Sequence, residues 1–177
     1  QVLEVLGNDP TVLVFTETTS NLHHINFFAS IDTILAPIEL SDRKEKLFEE
    51  LRPEIVLTFG GLIVSKKIKA FLRTYAPNQH WHIGGVRAND TFFCLKRHFK
   101  LSVNEFITRL YETYKPVTGD YFKHWDSLKN HHKIKREEYL SKIPFSDFLV
   151  YDAILKKIPK GYQLQLSNSS TVRYAQL

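Results

Sequence analysis

The chain has one cysteine, Cys94, and its 177 residues contain no long apolar run. A single cysteine cannot close a disulfide within the chain, and this suits a reducing compartment such as the cytosol. An apolar run of about 18 residues is needed to span a bilayer, and no run approaches that length. Residues 1–7 also lack the basic start and long apolar segment of a signal peptide. We therefore predict a cytoplasmic protein without a membrane span.

Signatures of phosphate-binding loops and of nucleic-acid binding are missing too. Neither GxxxxGKS/T nor GxGxxG occurs in the sequence, which argues against a nucleoside triphosphate loop and a dinucleotide fingerprint. The net charge is +5, but the lysines are spread over the predicted helices and no basic–aromatic sheet motif accompanies them. We therefore predict no nucleic-acid partner.

The remaining composition, 43% apolar and 24% charged residues, is typical of one ordinary globular domain. The first residue is Gln1 rather than Met, and the last residues look like an unfinished helix. We expect the chain to be a piece of a longer protein.

The most informative stretch covers residues 53–71. It opens with a strand predicted at 54–59, whose short apolar run 55–57, two of its three residues β-branched, is typical of a buried parallel strand. Gly60 and Gly61 follow, and then apolar residues at helical spacing, with Ser65, Lys66 and Lys67 in the first turns. Ligands of open α/β sheets bind beyond the carboxyl ends of strands, and a helix start offers free N–H groups to anions. Lys66 and Lys67 are therefore candidates for binding an anion, although solvated lysines on a surface helix are the common alternative.

The rest of the chain predicts strands alternating with helices. Further strands are predicted at 11–15, 79–83 and 162–166, with a short edge strand at 92–95. Helices are predicted from a cap at Asn21 to Leu35 before Pro37, over 43–51, and after caps at Ser102, Ser146 and Asn168 or Ser169. This order indicates an α/β fold with a doubly wound, mostly parallel sheet and helices on both faces.

Two segments are less regular. Over 119–140 the pattern loosens: Trp125, Leu128 and Ile134 are predicted to be buried, and the basic run 129–136 is typical of a solvated face. His23 and His24 do not share a helix face, and no third ligand is spaced to join them, so we predict no metal site there.

Three segments resemble a known family: TETTSNLHH at 16–24, FGGLIVSKKIKAFL at 59–72 and QLSNSSTVRYAQL at 165–177. They are similar to the 2-succinyl-5-enolpyruvyl-6-hydroxy-3-cyclohexene-1-carboxylate synthases, thiamine-diphosphate enzymes of menaquinone biosynthesis. The resemblance covers nearly the whole chain. It implies that residues 1–160 are the middle α/β domain, and that residues 161–177 are the first strand and helix start of the following diphosphate-binding domain.

The family reaction decarboxylates 2-oxoglutarate and adds the resulting carbanion unit to isochorismate, with thiamine diphosphate and Mg²⁺ bound to an oligomeric enzyme. The GDG-type motif for metal and diphosphate is absent from this chain, as is any match to the family's activating glutamate. The resemblance therefore implies no catalytic residue, cofactor or metal here, and an inactive fragment within an active homo-oligomeric transferase.

The resemblance also implies which residues face isochorismate. A Lys-Arg pair on the middle-domain helix and the serine and arginine of an NSxxVR segment fall on Lys66, Lys67, Ser169 and Arg173. Lys67 stands where arginine is common, so a bidentate fork is lost. Ser169 and Arg173 are one helix turn apart and can face one ligand. The alternatives are a freestanding domain that binds a small anion and a regulatory or scaffolding domain whose sheet only spaces its neighbours.

Overall fold

A computed structural model describes residues 2–115 and 117–177 of the chain. Its strands are β1 (Ile55–Phe59), β2 (Gln79–Ile83) and β3 (Leu95–Phe99). Its helices are α1 (Val2–Gly7), α2 (Ile31–Glu39), α3 (Lys44–Leu51), α4 (Lys66–Thr74), α5 (Val103–Thr113), α6 (Tyr121–Leu140), α7 (Asp147–Leu155) and α8 (Ser170–Gln176), with a 3-10 turn at Thr18–Ser20. None of the helices in these two ranges combines the length and the apolar character that a membrane crossing requires.

The sheet is parallel and has the order β1-β2-β3. Its first pair runs in register from Ile55 opposite Gln79 to Phe59 opposite Ile83, so the strands predicted at 54–59 and 79–83 are confirmed. The strand predicted at 92–95 begins later, at Leu95. Phe93 has a positive φ of 60° and cannot continue a strand, while the Asp90 carboxylate accepts hydrogen bonds from the amides of Cys94 and Leu95.

Two apolar cores lie on the two faces of the sheet. Val56 packs into one core with residues of α2, α3, α4 and α6, whereas Leu57 and Phe59 pack into the other with residues of α1 and α5. Because successive side chains of a strand point to opposite faces, one short strand contributes to both cores. This three-layer arrangement confirms the predicted α/β fold with helices on both faces.

The strand predicted at 11–15 is wrong. Only Phe15 pairs, in a single parallel bridge with Phe28. The Phe28 amide donates to the Val14 carbonyl at 2.9 Å, and the Thr16 amide donates to the Phe28 carbonyl at 3.0 Å. The ladder cannot grow because the partner segment enters helix α2 only three residues after Phe28.

The helix predicted from Asn21 to Leu35 is therefore wrong over its first half. Asn21 adopts a left-handed conformation with a φ of 48°, and the amide nitrogen of the Asn26 side chain donates to the Gly7 carbonyl at 2.9 Å. The helix begins at Ile31 and includes Pro37. Pro37 removes one backbone hydrogen bond, and the helix ends two residues later.

Helix α6 is a regular element of 20 residues where the sequence pattern loosens. Trp125 is fully buried as predicted and Leu128 packs against the same core, but the predicted burial of Ile134 is wrong, since 58% of this residue is exposed. In the basic run, Lys129 pairs with Asp126 at 2.6 Å and Arg136 with Asp152 at 3.1 Å. Only the first half of α6 lies on the core, so the apolar residues of the whole helix do not recur at helical spacing in the sequence.

The caps predicted at Ser102 and Ser146 are confirmed, whereas Ser169 precedes α8 without a side-chain capping hydrogen bond. The Ser102 hydroxyl accepts a hydrogen bond from the Glu105 amide at 3.2 Å, and the Ser146 hydroxyl accepts one from the Leu149 amide at 3.5 Å. In a capping box the Glu105 side chain would also accept a hydrogen bond from the Ser102 amide. Here the Glu105 carboxylate instead accepts one from Arg109 at 2.7 Å.

The last residues form helix α8 as predicted, but the strand predicted at 162–166 is wrong: these residues carry no β-pairing. A strand needs a neighbour for its ladder, and Tyr162 at 74% exposure projects away from the protein. The tail is anchored instead by Tyr174, which stacks on Phe148 and Tyr151 of α7.

Candidate anion-binding site at the start of helix α4

Helix α4 begins beyond the carboxyl end of β1, and a glycine turn brings it there. Gly60 has a φ of +80°, which only glycine adopts at little cost. Ser65 then caps the helix, its hydroxyl accepting a hydrogen bond from the Ile68 amide at 3.1 Å. Within the described residues, the amides of Lys66 and Lys67 keep no acceptor. This pair of open N–H groups provides a positive field for an anion.

Two carboxylates from other elements hold the chain that leads into α4. The Glu17 carboxylate accepts hydrogen bonds from the Val64 amide at 2.8 and 3.1 Å and from the Ser65 amide at 2.6 Å. Asp32, in the first turn of α2, accepts a hydrogen bond from the Ser65 hydroxyl. Sequence reasoning missed both acids, although Glu17 lies in the segment TETTSNLHH, because no spacing rule connects residues 47 positions apart.

The two predicted lysines have different surroundings. Lys66 is exposed and forms no ion pair with any residue in 2–115 or 117–177. Lys67 is half-buried and forms an ion pair with Glu39 at the end of α2. The structure therefore leaves the charge of Lys66 free for a ligand, whereas that of Lys67 is neutralised within the protein.

Ser169 and Arg173 lie on the last element, α8, and both are exposed. The C-terminal end of α8 is joined to the start of α2, since the Ser30 hydroxyl donates to the Gln176 carbonyl at 2.8 Å. Ser30 stands two residues before Asp32, the acid that contacts Ser65. No hydrogen bond or ion pair between described residues joins Ser169 or Arg173 to the two lysines, so the structure does not assemble the four side chains into one site.

A cleft of about 460 Å³ lies beside this helix start, beyond the carboxyl ends of the strands, lined by residues 58, 60–63, 82–87, 89, 91 and 101–103. In its wall, the Thr58 hydroxyl bonds His80 Nε2 at 2.8 Å and His82 Nδ1 at 3.0 Å. Burial lowers the pKa of His80 and of His82 below the ordinary value of 6.5. His82 therefore offers the cleft a neutral imidazole at neutral pH, whereas His80 is fully buried and does not line it.

Within residues 2–115 and 117–177, no group of three or more His, Cys, Asp or Glu side chains is arranged to hold a metal ion. His24 packs on the Phe27 ring with its centroid 4.9 Å away, and its Nδ1 accepts a hydrogen bond from the Asn26 amide at 3.2 Å. The ring of His24 is thus engaged in contacts within the protein.

Known proteins of similar sequence identify the family of this chain. No protein-family model matches the chain. Curated relatives named 2-succinyl-5-enolpyruvyl-6-hydroxy-3-cyclohexene-1-carboxylate synthase are 51% identical over 176 residues in Flavobacterium johnsoniae, 50% over 175 residues in Christiangramia forsetii and 45% over 176 residues in Flavobacterium psychrophilum. Each alignment covers 99% of this chain and 30–31% of the relative. The chain thus belongs to the 2-succinyl-5-enolpyruvyl-6-hydroxy-3-cyclohexene-1-carboxylate synthase family over the segment it spans, about a third of those relatives' length.

Proposed function

We propose that this chain is the middle α/β domain of a thiamine-diphosphate-dependent transferase of menaquinone biosynthesis, which decarboxylates 2-oxoglutarate and adds the resulting unit to isochorismate. The observation that carries the proposal is the identity of 45–51%, along 99% of the chain, to proteins named for that synthesis. In this proposal residues 1–160 form the middle domain, and residues 161–177 begin the diphosphate-binding domain. The full enzyme is a cytoplasmic homo-oligomer.

The role of this domain is to bind and orient isochorismate. Its carboxylates require cationic partners, and charge-assisted hydrogen bonds are the strongest available to a protein. Lys66 is suited to this role because its charge is free and the open amides of the α4 start reinforce it. Arg173 and Ser169 complete the proposed contact with a guanidinium and a hydroxyl donor. The family pattern places Lys67 in the same site. We expect it to contribute less to substrate binding, because it is paired with Glu39.

Thiamine diphosphate would supply the electron sink of the reaction in the complete enzyme, together with Mg²⁺. The sequence lacks the GDG-type motif for metal and diphosphate, so we assign no chemical step to this chain and expect the chain alone to be inactive. Their proposed contribution is confined to holding the second substrate.

The test is Lys66→Ala in the complete parent chain, with each substrate varied separately. We expect kcat/KM for isochorismate to fall by roughly ten- to a hundredfold, since a charge-assisted hydrogen bond contributes about 1.5–3 kcal/mol. Decarboxylation of 2-oxoglutarate and binding of thiamine diphosphate should be unchanged, because neither needs the second substrate.

The matched control is Lys133→Ala, another exposed lysine without a partner among the described residues. Equal kcat/KM for isochorismate in the two variants would return Lys66 to the role of a solvated surface lysine and favour a domain with a different ligand. Loss of cofactor binding in Lys66→Ala would instead make the residue structural.

A further inference from the structure

The loop before helix α4 is held mainly by polar contacts. Leu62 is 72% exposed and Val64 is 53% exposed, so Ile63 is the one residue between Gly61 and Ser65 that packs against a core. The contacts that remain are the Glu17 carboxylate on two amides, Asp32 on the Ser65 hydroxyl, and Lys69 Nζ on the Ile63 carbonyl at 3.2 Å. The orientation of Lys66 therefore depends on a few hydrogen bonds.

Glu17 makes the largest contribution among them. Both of its oxygens accept from Val64, and one also accepts from Ser65. Hydrogen bonds from backbone amides to a carboxylate are stronger than neutral ones. No basic side chain among the described residues pairs with Glu17. Its charge is directed at the backbone and not at Lys66.

We propose that Glu17 is a positioning residue for isochorismate: it ties the loop at 16–20 to the start of α4 and thereby fixes where Lys66 and the open amides of Lys66 and Lys67 point. The inference rests on the proposed function of Lys66. Glu17 itself touches no reacting atom in this scheme.

A carboxylate beside an anion site has an opposite possible effect, which is to compete with the substrate. The geometry argues against competition, because Glu17 occupies the amides of Val64 and Ser65 and leaves those of Lys66 and Lys67 open. The two effects have opposite signs. Removing a positioning residue raises KM for isochorismate, whereas removing a competitor lowers it.

The experiment compares Glu17→Ala, Glu17→Gln and the control Glu54→Gln in the complete parent enzyme. Glu54 is an exposed acid next to β1, and its side chain forms no hydrogen bond or ion pair with any described residue. We expect Glu17→Ala to raise KM for isochorismate by roughly ten- to a hundredfold, the scale on which small misplacements act. Glu17→Gln should recover part of this loss, since its amide oxygen still accepts one hydrogen bond. The rate of 2-oxoglutarate decarboxylation without isochorismate should equal that of the unsubstituted enzyme.

Amide hydrogen exchange of the peptide that contains Val64 and Ser65 supplies a readout besides activity, and it should be faster in both Glu17 variants. An unchanged exchange rate in both variants, or a lower KM in Glu17→Ala, overturns the proposal. Measuring Lys66→Ala in parallel distinguishes failure of the positioning role of Glu17 from failure of the proposed function. A loss in Lys66→Ala without a loss in Glu17→Ala overturns the positioning role alone, whereas no loss in either variant overturns the proposed function with it.

Discussion

At the scale of single residues, the candidate site depends on groups that are far apart in sequence. A glycine sets the turn after β1, a serine caps α4, and three acids from two other segments contact the helix start: Glu17 before the 3-10 turn, and Asp32 and Glu39 of α2. Only Lys66 of the two adjacent lysines keeps a free charge in the described residues. The difference between the neighbours arises from helix geometry, because adjacent positions face different directions.

The turn itself can be tested with two neighbouring glycines. Gly60→Ala should lower the free energy of unfolding by about 1–2 kcal/mol, because its φ of +80° brings the Cβ close to the following carbonyl oxygen. Gly61→Ala should be neutral or slightly stabilising, since its φ is not in that region and a Cβ meets nothing within 4 Å. Urea unfolding of both variants measures the difference. Equal midpoints would show that the left-handed turn is not retained.

At the scale of elements, helix α6 joins the core to the C-terminal helices. Its first half inserts Trp125, whose ring meets those of Phe15 and Phe71 edge-on at 5.2 and 6.3 Å. The Tyr121 hydroxyl donates to the Leu51 carbonyl at 2.8 Å, and burial raises the pKa of Tyr121 to about 12. Its second half meets α7 through the Arg136–Asp152 pair. The helix is therefore anchored at one end by apolar packing and at the other by charge.

Truncating the anchor should destabilise the protein strongly. Trp125→Ala leaves a cavity in the core and should lower the free energy of unfolding by about 3–5 kcal/mol. Ile134→Ala on the exposed part of the same helix should change it by about 0.5 kcal/mol or less. Chemical denaturation monitored by circular dichroism reports both values, and a cost in Ile134→Ala as large as in Trp125→Ala would contradict the exposure of Ile134.

Two histidines of strand β2, His80 and His82, make the stability of the protein depend on pH. Burial lowers the pKa of His80, partly opposed by Asp90, and it lowers that of His82 together with His98. The unfolded chain therefore binds more protons than the native one below about pH 6.5, the ordinary histidine value. We expect the free energy of unfolding to fall as pH falls through that region, with the stabilisation fully present above it.

The two histidines can be isolated by substitution. His82→Gln should reduce the slope of unfolding free energy against pH between about 7 and 5.5, because one depressed group is removed. Thr58→Val should lower stability at pH 7 by about 1–3 kcal/mol, since the buried His80 and the half-buried His82 lose their shared hydrogen-bond partner. A slope in His82→Gln identical to that of the unchanged chain would assign the pH dependence to other groups.

At the scale of the whole molecule, a short parallel sheet separates two apolar cores, and the proposed substrate contacts lie beyond one end of the strands. The sequence lacks the GDG-type motif, and no three His, Cys, Asp or Glu side chains among the described residues are grouped to hold a metal ion. We therefore expect calorimetric titration of this chain with thiamine diphosphate and Mg²⁺ to give no saturable heat in the micromolar range. Saturable binding would mean that the chain carries a cofactor site that its residues do not suggest.

Local signals made part of this architecture predictable. The apolar run of β1, the glycines after β1 and the capping serines Ser102 and Ser146 identify their elements, because each signal depends on neighbours along the chain. The same signals failed where tertiary partners decide. Residues 11–15 alternate as a strand should, and Val12 and Val14 do face one core while Leu13 and Phe15 face the other, yet only one bridge forms.

The sequence by itself therefore determined the strand, the glycine turn and the lysine-bearing start of α4, since apolar period, backbone freedom and capping act over a few residues. It also determined the parallel sheet with helices on both faces. Tertiary structure alone decided that Phe28 pairs with Phe15 instead of entering a helix, that Glu39 neutralises Lys67, and that Glu17 reaches amides 47 residues away. Hydrogen bonds and ion pairs depend on distance in space, which a local pattern does not contain.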